Sequence, residues 1–170
     1  VAYKAGTQDY RYDRPSRRQA GIGFGNDKPI LPCLRSPVPR VAVIVDTSGS
    51  MGTEEMVTAA SEAKGVLLAC GSHIDLIACD AKVHTLKPVQ RWQDLPKLLV
   101  GGGGTDFRPA FKGLKHLKQK PDVVVFLTDG QGPAPVDPPP RTKVIWVLVG
   151  RHRELPSAGD YGGAKVAWGE

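Results

Sequence analysis

Three short apolar runs set the pattern of this chain. Val41-Ala-Val-Ile-Val45, Val123-Val-Val-Phe-Leu127 and Val144-Ile-Trp-Val-Leu-Val149 contain no charged residue and are rich in β-branched side chains. Unbroken runs of this length are the pattern of strands covered on both faces, as in a parallel sheet. Between the first two the period changes. Across residues 54–70, Met56, Ala60, Ala63, Leu67 and Cys70 fall on one face, with Ala59 and Val66 beside them. That spacing predicts a helix packed closely on a sheet through small side chains. Residues 73–80 predict a second strand and residues 82–86 a third. So short a link between them admits a hairpin and no crossover helix, so the third strand is expected antiparallel, at an edge. Residues 92–99 predict a short helix or helical turn, residues 107–117 a helix, and Lys165–Trp168 one further strand. Strands alternating with helices predict an α/β domain with a mostly parallel sheet and right-handed crossovers.

Residues 1–39 show no such period. They are rich in Gly, Pro, Arg and Asp, and Pro29, Pro32, Pro37 and Pro39 oppose helix, so a basic, extended leader is expected ahead of a domain over 40–170. The charge follows the same division. The chain carries a net +6, and residues 1–40 hold eight Lys or Arg against three Asp, a net of +5. Tyr3, Tyr10 and Tyr12 interleave with the arginines, which opens a nucleic-acid reading. No recognisable nucleic-acid module accompanies them, so a solvated arm is the stronger reading and nucleic acid is not the expected partner.

With 170 residues the chain has material for one domain with a proper core. No apolar run reaches the length of a membrane span and no signal peptide is visible, so no membrane is expected as a partner. Cys33, Cys70 and Cys79 are odd in number and lack paired metal spacing. They read as reduced thiols in an intracellular compartment, and the cytoplasm is the expected location. The chain opens on Val rather than Met, from which a piece of a longer protein with an upstream domain is expected.

The candidate chemistry gathers where the apolar runs end. The first run stops at Asp46, with hydroxyls following at Ser48 and Ser50 and glycines at 49 and 52. The run at 123–127 stops at Thr128-Asp129-Gly130. Four glycines, 101–104, precede Thr105 and Asp106 and bury no side chain of their own, so their use is a close backbone approach that carries Thr105 towards the first loop. In a parallel sheet the ligand crevice lies beyond the strand C-termini, where strand order reverses. Asp46, Ser48, Ser50, Thr105 and Asp129 would there supply five oxygen-bearing side chains from three segments, a donor set suited to a small hard cation. Taken alone, the first segment also reads as an acid and serines that cap a helix, and the glycines as a mobile linker. Asp106 is expected to cap the next helix and Asp80 to orient a loop, neither as a ligand.

These residues resemble the von Willebrand factor A domain family and its metal-ion-dependent adhesion site. The family's Asp-x-Ser-x-Ser is present as Asp46, Ser48 and Ser50, its threonine loop as Thr105 and its later aspartate as Asp129. More narrowly, the segments Val-Asp-Thr-Ser-Gly-Ser-Met, Cys-Asp-Ala and Gly-Gly-Gly-Gly-Thr-Asp-Phe are similar to the C-terminal VWA-like domain of bacterial metal-dependent peptidases. The resemblance implies a three-layer Rossmann-like fold with sheet order 3-2-1-4-5-6 and strand 3 antiparallel. It implies Mg²⁺ or Mn²⁺ held directly by Ser48 and Ser50, by Thr105 directly or through water, and by Asp46 and Asp129 through waters. It further implies a protein partner offering Glu or Asp, within an assembly holding a peptidase-like domain or an AAA-type ATPase. No His-Glu-x-x-His is present, so any peptidase chemistry would belong to another domain. A metal-assisted phosphohydrolase is the rival reading. It wants a carboxylate two residues after the first aspartate, where this chain has Ser48, and no catalytic residue is expected. The short stretch after Asp129 implies that one peripheral helix of the usual fold is lacking.

Overall fold

The structure, a computed structural model, describes residues 4–12, 16–70, 73–99, 101–137, 139, 141–150, 155 and 165–168. The chain divides into two units, Val1–Pro39 and Arg40–Glu170. In the first, β1 (Lys4–Arg11) pairs antiparallel with β2 (Cys33–Val38), and α1 (Gln19–Ile22) forms a single turn between them. Where an extended leader is expected, the described residues thus hold a paired ribbon and a helical turn. Pro29 and Pro32 lie beyond this turn, and Pro37 and Pro39 lie in or after β2, leaving 19–22 free to coil. Pro37 is tolerated because a two-stranded ribbon has open edges that need no donor there. The buried Gln19 side chain organises the loop: its amide donates to the carbonyls of Gly23 and Pro29, and its oxygen accepts the Leu31 N–H at 2.7 Å.

In the second unit the apolar runs lie side by side, as the pattern predicts. In chain order its elements are β3 (Val41–Asp46), α2 (Thr53–Cys70), β4 (Ile74–Cys79), β5 (Val83–Val89), α3 (Leu95–Leu98), α4 (Arg108–Gly113), β6 (Val123–Thr128), β7 (Lys143–Val149) and β8 (Lys165–Trp168). The sheet order is β5-β4-β3-β6-β7-β8, parallel throughout except for the antiparallel edge strand β5. This is the three-layer, Rossmann-like arrangement. Side chains alternate across the sheet with a period of two, and both faces are apolar. Val43, Val45, Val125, Leu127 and Val147 meet Ala59, Ala63 and Leu67 of α2 on one face. Ala42, Ile44, Val124, Phe126 and Trp146 meet Phe107, Ala110, Phe111 and Leu114 on the other. There Phe126 lies 4.8 Å from Trp146 and 4.9 Å from Phe107 between ring centroids, so the α4 face is an aromatic core.

α4 is shorter than the periodicity predicts, giving way to a 3-10 turn over Leu114–His116. Gly113, a weak helix former, sits at that junction. Among the described residues between β6 and β7 there is no helix, in keeping with the shortness of that segment. Among the described residues no helix is long and apolar enough to cross a membrane. Cys33, Cys70 and Cys79 are free.

Candidate functional site

β3 is the hinge of the sheet's connectivity, because α2 carries the chain to β4 on one side while β6 lies on the other. The C-terminal ends of β3 and β6 therefore flank the crevice that a doubly wound sheet leaves open. Asp46 is fully buried there. One carboxylate oxygen accepts the Ser48 N–H at 2.9 Å, which bends the chain into a tight turn after the strand. The other accepts the Thr128 hydroxyl of the neighbouring strand at 2.8 Å. Ser48 is buried and Ser50 exposed, and their hydroxyl oxygens lie 3.1 Å apart. Burial pushes the Asp46 carboxyl above its usual range. The Ser48 and Thr128 hydrogen bonds oppose that rise, and the nearby Asp129 charge adds to it. Asp46 is thus a buried acid next to a second acid.

The glycine loop reaches this turn through its backbone. Gly49 N–H donates to the Gly103 carbonyl at 2.9 Å, and Gly103 N–H donates to Asp80 Oδ2 at 3.0 Å. A Cβ at 103 would stand 2.7 Å from that Asp80 oxygen, and one at 101 would collide with the Thr47 side chain. Glycine is required at both positions for this approach. Asp106 N–H donates to the Asp80 carbonyl, and Phe107 N–H donates to the Pro133 carbonyl, so Thr105 sits between fixed points. Its methyl faces Gly132, where a Cβ would lie 2.6 Å away.

Each of the five expected donors has a definite place. Asp46, Ser48 and Ser50 share one hydrogen-bonded turn, and Asp129 sits one residue beyond β6, beside β3, its carboxylate accepting the Gln131 N–H at 2.9 Å. Thr105, half-buried, arrives on the loop that Asp80 and Gly49 tether. Asp106 caps α4 by accepting the Arg108 N–H at 2.9 Å and is also held by the Arg108 guanidinium. Asp80 orients the loop as described. Thr128 was not among the expected donors, yet its hydroxyl is what holds the outer oxygen of Asp46. The sequence offers only a polar residue closing an otherwise apolar run; the role comes from the register, in which pairing of Val45 with Leu127 sets the next residues, Asp46 and Thr128, level.

Two carboxylates and three hydroxyls make an all-oxygen donor set. Among the described residues no three His, Cys, Asp or Glu side chains converge, so the softer ligands of a zinc or iron site are not gathered at any one place. Hydroxyl and carboxylate oxygens match a hard divalent ion. The spacing fits as well. In an octahedron with bonds of about 2.0–2.1 Å, neighbouring ligands stand about 2.9 Å apart, close to the separation of the Ser48 and Ser50 oxygens.

Comparison with known proteins agrees with the fold. The family described as "VWA-like domain (DUF2201)" matches over residues 41–165. An uncharacterized protein of Thermotoga maritima is 33% identical over 144 residues, which cover 83% of this chain. The chain spans about a third of that relative's length, 32%.

Proposed function

The chain belongs to the VWA-like domain family, and from that membership and the strand-end crevice we propose that it is a divalent-cation-dependent protein-interaction module. The observation that carries this reading is the buried Asp46 carboxylate, set in one turn with two hydroxyl oxygens at ligand spacing. Ser48 and Ser50 would hold Mg²⁺ or Mn²⁺ directly, Thr105 directly or through water, and Asp46 and Asp129 through waters. Such an ion supplies an incompletely neutralised positive charge that an incoming carboxylate can satisfy. The chain's own residues do the rest. Asp46, fixed by Ser48 N–H and Thr128, orients whatever binds between it and the serines. Asp80 keeps the glycine loop closed over the same point. The partner we propose is a protein that presents Glu or Asp to the ion, within an assembly that includes a peptidase-like domain or an AAA-type ATPase.

The domain is not itself an enzyme on this reading. Ser48 stands where a phosphohydrolase of this geometry places its general acid, and a hydroxyl cannot donate a proton at neutral pH as a carboxylic acid does. The test is Mn²⁺ binding followed by electron paramagnetic resonance. Wild type should bind, Ser48→Ala should bind more weakly, and Asp46→Ala should not bind. Mn²⁺ binding unchanged by Asp46→Ala would overturn the site. Metal-stimulated hydrolysis of p-nitrophenyl phosphate, lost in the same variant, would overturn the non-enzymatic reading.

A further inference from the structure

Residues 107–121 carry Arg108, Lys112, Lys115, Lys118 and Lys120 and no acidic residue. The charge balance of the chain conceals this. The 130 residues after Arg40 net only +1, yet they contain a basic segment within the folded unit. Lys112, Lys115 and Lys120 are exposed, and they line one wall of a groove of about 600 Å³. Pro135, Pro139 and Thr142, from the connection between β6 and β7, line the other wall. Phe111, Leu114 and Pro121, all largely buried, form the floor.

The walls are fixed at several points. Phe107 N–H donates to the Pro133 carbonyl at 3.1 Å at one end of the connection. At the other, Thr142 donates its N–H to the Pro139 carbonyl and its hydroxyl to the Pro121 carbonyl at 2.9 Å. A groove already built this way costs little ordering when something binds. Prolines offer no N–H, so a guest cannot be held by strand addition along that wall. Recognition must come from side chains, an apolar anchor against the floor and anions against the lysine wall. Asp137 is the acid among the lining residues, and Arg108 is already engaged by Asp106, so the lysines dominate the field.

We propose that this groove docks a protein segment in which one large apolar residue is flanked by two or more Asp or Glu. The apolar floor and the proline wall favour this guest over nucleic acid, whose backbone seeks donors and whose bases seek open aromatic faces. Pro121 and Thr142 precede β6 and β7, at the end of the sheet opposite Asp46 and Asp129. Docking at that end uses none of the crevice's oxygen donors and is therefore expected without any metal.

The experiment pans the full chain, in chelator, against a phage library of random linear peptides. Enriched sequences should combine acids with Leu, Phe or Trp. A synthetic peptide of the enriched sequence should bind equally with and without Mg²⁺. It should lose about tenfold or more in affinity to the triple variant Lys112→Glu/Lys115→Glu/Lys120→Glu, since each exposed ion pair contributes only modestly. The triple Lys→Gln variant, with circular dichroism matching wild type, should show a smaller loss. Arg17→Glu/Arg18→Glu should show none. The proposal is overturned by no enrichment above a blank surface, by enriched sequences lacking acids, or by full binding to the triple variant. A labelled single-stranded oligonucleotide that binds wild type but not the triple variant, with no peptide enriched, would transfer the groove to nucleic acid.

Discussion

Two adjacent parallel strands each deliver an aspartate to the same rim, and the protein treats them in opposite ways. Asp46 closes β3, and Asp80 follows β4 by one residue, with Asp46 and Cys79 in register. Both are buried. Asp80 also feels the penalty of burial, but the hydrogen bond from His84 at 2.8 Å and the N–H groups of Lys82 and Gly103 outweigh it, holding its carboxyl below the usual range. Asp46 has one N–H, hydroxyls and a neighbouring acid, and burial wins. On the proposed reading, the difference separates a structural acid from a functional one. Asp80 is satisfied by the protein and fastens the glycine loop. Asp46 carries a charge that its surroundings disfavour, which on the proposed reading a bound cation would offset.

The comparison breaks most sharply at Asp46 itself. Asp46→Asn keeps the shape and the acceptor for Thr128 or Ser48 but removes the charge. Mn²⁺ binding should disappear at concentrations that saturate wild type. In chelator the variant should melt no lower than wild type, because a disfavoured buried anion has been removed. A variant that still binds Mn²⁺, or that unfolds, would make Asp46 a structural residue like Asp80.

Asp80→Ala should behave in the reverse sense. It strands the Gly103 and Lys82 N–H groups, at a cost of about 1–3 kcal/mol in stability by chemical denaturation, while Mn²⁺ binding weakens rather than disappears. Gly103→Ala attacks the same link from the other side, since its Cβ would crowd the Asp80 oxygen at 2.7 Å. The double variant should therefore lose less than the two single losses together, a non-additivity that a double-mutant cycle reads directly. Full additivity would show that loop and acid act separately.

The pH dependence sharpens the contrast further. A carboxyl held below its unfolded value contributes stability above the usual carboxylate range and loses it as pH falls through the folded value. The stability gap between wild type and Asp80→Ala should hold from neutral pH down to about 5 and close in more acid solution, below the ordinary value of about 4. A gap that instead widens as pH falls would contradict the assignment of Asp80 as the ionised anchor.

Much of this was legible in the residues, and the exceptions have physical reasons. Strands β3, β6 and β7 were plain because an unbroken apolar run has few other uses in a chain of this size. The edge position of β5 followed from chain length alone, three residues being too few to cross a sheet. The donors Asp46, Ser48 and Ser50 were legible because they are close in sequence. Thr128 was not, because its role is set by sheet register, which periodicity does not encode. The ribbon of β1 and β2 was hidden for a related reason. Its strands are far apart in sequence, carry proline and charge, and owe their connection to a buried Gln19 that no hydrophobic pattern marks. The basic groove beside α4 is hidden in the net charge of +1 over the 130 residues after Arg40, whereas a field is set by what lies within a Debye length.

The smallest effect expected concerns the metal and the fold. The apolar burial that holds the sheet lies between its two faces and their helices, away from the strand-end rim. A bound ion then stabilises only through linkage, about 2.7 kcal/mol at a hundredfold excess over its dissociation constant, and less when weakly bound. For a unit of this size that is a shift of several degrees in melting temperature. Melts with Mg²⁺ and with chelator should differ by no more than this in wild type, and should coincide in Asp46→Asn. An apo protein unfolded at room temperature would place the metal inside the folding unit and erase the distinction between the two strand ends. Equal Mg²⁺ shifts in wild type and Asp46→Asn would locate the ion somewhere other than the crevice.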